Sequence, residues 1–75
     1  MQASDVLSAD PEVMSGAVVF KGTRVPLDAL FENLAGGTSL EEFLDDFPTV
    51  ERAQAEAVLY LASEQLKRRF DLAAA

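Results

Sequence analysis

Few residues in this chain could do covalent chemistry. It holds no His and no Cys. No side chain therefore has an ordinary pKa near neutrality, and there is no thiol nucleophile or thiolate zinc site. Ser4, Ser8, Ser15, Ser39 and Ser63 lack a His to activate them, and Lys21 and Lys67 are the only lysines. Glu41, Glu42, Asp45 and Asp46 form an acidic group. A Mg²⁺ site of that kind ordinarily also holds a phosphate substrate. The bland alternative is a solvated helix face plus one capping carboxylate, and the sequence favours it. Lys21-Gly22-Thr23 lacks the Gly-rich approach of a phosphate loop. The expectation is a protein that is not an enzyme, with no cofactor and no metal.

Binding chemistry remains. Lys67, Arg68 and Arg69 stand beside Phe70 and Leu72, a combination suited to an acidic groove with an apolar pocket. The alternative is that Leu66 and Phe70 extend the packed face of a last helix whose end the cations favour. Arg24 either anchors a partner or pairs with Asp28. The predicted partner-binding set is Arg24, Lys67, Arg68, Arg69, Phe70 and Leu72. Lys21, Arg24 and Arg52 are the candidate DNA contacts. Six bases against thirteen acids give a net charge of −7, and Arg52 is the single base in residues 39–66. Such a surface opposes a phosphate backbone, so nucleic-acid binding by the chain alone is expected to be weak.

These residues need a scaffold, and 75 residues allow one small domain. Twelve residues are Ala, and 25 are Val, Leu, Met, Phe or Tyr, enough for one thin core. Chains of this size often gain stability by self-association, so a homodimer or higher homo-oligomer is expected. No basic-then-apolar leader opens the chain and no apolar run is long enough for a membrane span, so a cytoplasmic location is expected.

Asp10-Pro11 and Ser15-Gly16 read as turns, with Asp5-Val6-Leu7 between them and the N-terminus as a short edge strand. Val18-Val19-Phe20 and Thr23-Arg24-Val25, separated by Lys21-Gly22, read as a tight hairpin. Such short strands need a further partner, and a second copy of Val18, Val19 and Phe20 is the candidate dimerisation surface. Pro26 opens a first helix with Leu27, Leu30, Phe31 and Leu34 on one face, and Gly36-Gly37 stops it. Ser39-Leu40-Glu41-Glu42 is a capping box, followed by the stripe Leu40, Phe43, Leu44 and Phe47 up to Pro48. Thr49 is read as the cap of a third helix from Val50 to about Phe70, with Val50, Ala53, Ala57 and Leu61 inward, joined by Val58 and Tyr60. The fold class is mainly α, a homeodomain-like tri-helical helix-turn-helix core preceded by short N-terminal β-strands. Residues 5–66 form the domain, and 67–75 are a basic and apolar tail.

The order of motifs resembles a family of small prokaryotic proteins catalogued as domain of unknown function 433. The matching residues are Asp10-Pro11-Glu12-Val13-Met14, Gly16, Val19 to Pro26 with Gly22-Thr23-Arg24 at the centre, Leu34 to Glu42, and Phe47-Pro48. The resemblance covers about residues 5 to 62. It implies a homeodomain-like fold and a VapB-like antitoxin that neutralises a PIN-type ribonuclease toxin, with autoregulatory DNA binding. It brings no catalytic site. This chain departs from the pattern in Ala17-Val18 and in its acidic third helix. A helix-turn-helix regulator binding DNA directly and a structural interaction adaptor stay open as alternatives.

Overall fold

A computed structural model describes residues 2–9, 11, 12 and 16–74, without the side chains of 72–74. The turns read at Asp10 and Ser15, and Val13 and Met14 of the family pattern, lie outside the described residues. The chain is mainly helical: α1 (Ala3–Val6), β1 (Leu7–Ala9), β2 (Val18–Phe20), α2 (Leu27–Ala35), α3 (Leu40–Asp46) and α4 (Arg52–Ala74).

The strands pair antiparallel with Leu7 opposite Phe20, Ser8 opposite Val19 and Ala9 opposite Val18. This corrects the hairpin expectation. The turn at Lys21-Gly22 does form: Gly22 sits at φ +79°, and the Thr23 N–H donates to the Phe20 carbonyl at 3.0 Å. Phe20 N–H then donates to the Val25 carbonyl, and Val19 bridges Pro26. No second strand grows from this turn, because the Val25 N–H is taken by Thr23 Oγ1 at 3.0 Å. That hydroxyl donates in turn to the Phe20 carbonyl at 2.8 Å. The strand partner of β2 comes instead from Leu7–Ala9. Asp5 and Val6, read as strand, belong to the one-turn α1, whose Gln2 N–H donates to the Asp5 carboxylate at 2.8 Å.

Pro26 is the residue before α2 and not its first, with ψ at 146°, and its carbonyl accepts from Ala29 N–H. Its missing N–H costs nothing at that place. Gly37, at φ +97°, ends the helix. The Gly37 and Thr38 N–H groups return to the Leu34 and Asn33 carbonyls. The capping box of α3 forms as read: Glu42 N–H donates to Ser39 Oγ at 3.1 Å, and Ser39 N–H donates to Glu42 Oε1 at 3.2 Å.

α4 begins later than the sequence suggests. Thr49 and Val50 lie in the connection, and the Glu51 N–H is satisfied by Gln54 Oε1 at 3.0 Å. Val50, Ala57, Val58 and Leu61 face the core as expected, and the rest of the inward face differs. Ala55, Ala57 and Val58 are buried, whereas Ala53 and Tyr60 face water. Phe20, Leu30 and Phe43 are fully buried at the centre, with Val6, Val50, Ala55, Ala57 and Val58 around them. The Phe43 ring lies 6.4 Å from that of Phe20 and 4.9 Å from that of Phe47.

At 1.5 Å per residue α4 is about 34 Å long. Its first half packs on this core. From Ser63 to Asp71 every residue is exposed. The radius of gyration is accordingly 13.3 Å, against about 11 Å for a compact globule of this length.

Candidate functional site

The residues singled out for binding fall into two separate places. Arg24 stands on the loop after Gly22, in an open groove lined by Val25, Pro26, Phe47 and Thr49. The loop is fixed by the two hydrogen bonds of Thr23, and Arg24 extends from it, exposed and without an ion pair among the described residues. The pairing with Asp28 is not formed. None of the C-terminal cations lines this groove.

Lys67, Arg68, Arg69 and Phe70 lie on the projecting half of α4, and Leu72 continues the same helix. Lys67 Nζ is 3.8 Å from Glu64 Oε1, an exposed contact one turn away. Arg68 and Arg69 have no ion-pair partner among the described residues. Helical geometry sends these side chains in different directions. Leu66, Lys67, Arg69 and Phe70 line one open hollow. Arg68 closes the end of another, which runs between α1, α2 and α4 along Leu7, Leu27, Phe31 and Leu61.

Two of the three candidate DNA contacts, Arg52 and Lys21, are tied up, whereas Arg24 is free of ion pairs among the described residues. Arg52 is hydrogen-bonded to Glu41 and lies 3.8 Å from Glu56. The Glu41 hydrogen bond and charge hold its pKa above the ordinary value, so it remains a cation at any working pH. Lys21 Nζ donates to the Ser4 carbonyl at 3.2 Å, while its own carbonyl accepts from Gln54 Nε2 at 3.0 Å. Lys21 thus joins α1 to the turn, and Gln54 joins the turn to α4.

Val19 and Phe20, read as a dimer surface, are buried inside the chain. β2 is also flanked on both edges, by β1 and by the Val25-Pro26 segment. Only Val18 of the three is exposed. The acidic group is divided between tasks: Glu42 caps α3 and Glu41 holds Arg52. Among the described residues no cluster of three carboxylates is placed to hold a metal ion, and no helix is long and apolar enough to cross a membrane.

Sequence reasoning missed two features. One is the groove at Leu27, Phe31 and Leu61. The other is the exposure of Tyr60 together with Leu66 and Phe70 on the outer side of α4. The spacing of Leu59, Leu66 and Phe70 (i, i+7, i+11) is the signal that could have found the second.

Comparison with known proteins gives a family but no described activity. The Uncharacterized protein y4eO of Sinorhizobium fredii (strain NBRC 101917 / NGR234) is 28% identical over 68 residues. The match takes in 89% of this chain and 31% of that protein, so the chain spans under a third of the relative's length. No solved structure matches. The model of a family described as Protein of unknown function (DUF433) matches residues 7–62, from the first residue of β1 to the last turn of α4 that touches the core. With most of its length inside that pattern, the chain belongs to the DUF433 family.

Proposed function

We propose that this chain is an antitoxin-like binding module. Its docking element is the projecting half of α4, and its partner is a ribonuclease of PIN type with an acidic, metal-holding active site. The observation that carries this reading is the placing of Arg68 and Arg69. They stand free of ion pairs among the described residues, Arg68 at the end of the groove along Leu27, Phe31 and Leu61 and Arg69 in the hollow with Leu66 and Phe70, on a chain of net charge −7. Residues 63–75 hold three of the six bases and two of the thirteen acids, so the one basic region is also the one that projects. A guanidinium entering a carboxylate cluster competes with the metal for the same oxygens. On this reading α2, α3 and α4 form a homeodomain-like helix-turn-helix core, and the module works in the cytoplasm. DNA binding belongs to the complex, since Lys21 and Arg52 are already engaged.

The test is to express the tagged chain in its own cells and assay what it retains for Mg²⁺-dependent RNA cleavage. The expected result is a small ribonuclease at fixed ratio, silent while bound, and released and active when Arg68→Glu and Arg69→Glu are combined. A retained protein without nuclease activity, or inhibition untouched by the double substitution, overturns the reading.

A further inference from the structure

The outer side of α4 carries an apolar stripe that lies away from Arg68 and that shares only Lys67 and Phe70 with the expected partner-binding set. Tyr60 is 75% exposed, Leu66 68% and Phe70 73%. At 100° per residue, Leu66, Leu59, Phe70, Ser63, Lys67 and Tyr60 fall in that order across about 120° of the helix, a stripe wide enough to bury against another helix. Arg68 points to the opposite side. Tyr60, Leu66 and Phe70 together expose about 400 Å² of largely apolar side chain, the size of the largest patch on an ordinary monomer and one that often serves an interaction.

We infer that this stripe is covered by α4 of a second copy of the same chain, in an antiparallel pair with its two-fold axis at Ser63. Three observations select that occupant. Ser63 is where α4 passes from its packed to its exposed part, so about this point each projecting half lies along the outer face of the partner's packed half, and the two bodies sit at opposite ends. Charge selects the direction. The packed half offers Glu56 on this side, 3.8 Å from an Arg52 whose closer partner is Glu41, and the projecting half offers Lys67. Antiparallel helices bring Lys67 between the partner's Glu56 and the partner's Tyr60, whereas parallel helices set like beside like. Area is the third. The three exposed residues supply about 800 Å² over two copies, and Leu59 and the Lys67 stem bring the pair to the roughly 1,000 Å² that a specific interface needs.

In this register Leu59 faces the partner's Leu66 across one side of the seam, and the small Ser63 lets the helices approach closely. The Lys67–Glu64 contact is exposed and weak, so exchanging it for the partner's Glu56 costs little.

Sedimentation of the full chain at about 100 µM tests the association, since a micromolar Kd leaves dimer at that concentration. The expected mass is that of two 8.1 kDa chains. Leu66→Asp, at an exposed position, is expected to return it to one chain with an unchanged circular-dichroism spectrum. A wild-type monomer, or a dimer indifferent to Leu66→Asp, overturns the inference. The absence of Cys makes the register testable by oxidation. Leu59→Cys chains mixed with Leu66→Cys chains are expected to cross-link, and Leu66→Cys alone is not. Cross-linking of Leu66→Cys with itself overturns the antiparallel register. Arg68→Glu alone, on the side away from the seam, leaves the dimer intact, so the dimer and the nuclease reading fail independently.

Discussion

The two halves of α4 are one continuous helix in opposite circumstances. Residues 52–62 lean on a core of Phe20, Leu30 and Phe43, and the inward positions are Ala55, Ala57 and Val58. Residues 63–71 have large apolar side chains and three cations, and none is buried. The packed half thus turns two alanines inward together with Val58, Leu59 and Leu61, and the half with Leu66 and Phe70 is bare. Size and hydrophobicity alone do not decide which side chains are buried. What decides is whether another element comes within reach. Ala55 and Ala57 let the core close on the first half of α4, whereas among the described residues nothing covers Ser63 to Asp71 enough to bury one of them.

The sharpest way to break this contrast is to make one change in both settings. Phe43→Ala removes a fully buried ring between Phe20 and Phe47 and is expected to cost about 3–5 kcal/mol. A domain of this size has only roughly that much to lose, so the variant is expected to be largely unfolded at 25 °C by circular dichroism. Phe70→Ala, melted at low concentration so that association does not contribute, is expected to stay within about 0.5 kcal/mol of the parent. Equal losses at the two positions would mean that the projecting half packs on its own body.

An intermediate effect belongs to the loop that carries Arg24. Thr23→Val keeps the shape and removes the hydroxyl that donates to the Phe20 carbonyl and accepts from Val25 N–H. The half-buried Val25 N–H loses its partner, at an expected cost of about 1–2 kcal/mol in urea titration. If stability is unchanged, the loop is held by its neighbours and the Gly22-Thr23-Arg24 sequence has another purpose.

Legibility in the sequence followed the range of the interactions. The Ser39–Glu42 capping box and the Gly37 stop are completed within four or five residues, and both read correctly. The pairing of β2 spans a long connection, and Ser8 and Ala9 are poor strand formers, so nothing local marked them as its partner. The turn at Gly22 was visible, but the capture of Val25 N–H by Thr23, which stops the second strand, was not. The inward residues expected of the last helix were legible at Val50, Ala57, Val58 and Leu61 but not at Ala53, Ala55 and Tyr60, because Ala occurs on both sides of α4 and gives little periodic signal. The candidate site was half legible. The cations announced themselves by type, and Phe70 by its neighbours. The Tyr60 and Leu66 surface did not, because an apolar residue on a helix reads as core until the rest of the core is found elsewhere.

The smallest effect is expected where the structure offers its most conspicuous ion pair. Arg52 on α4 joins Glu41 on α3, and both side chains are largely in water. Exposed pairs gain little over hydration and lose side-chain freedom. Arg52 also has Glu56 one turn away as an alternative partner. Glu41→Gln is therefore expected to leave the melting midpoint nearly unchanged, and 0.5 M salt, which shortens the screening length to about 4–5 Å, is expected to erase what difference remains. The substitution also lifts the net charge from −7 by one, which relieves repulsion within the acidic α3 and acts against any loss. A large fall in the midpoint would mean that the α3–α4 joint is clamped by charge. The packed half of α4 would then owe its place to Arg52 as well as to Ala55 and Val58, and the difference between the halves would no longer be a matter of reach alone.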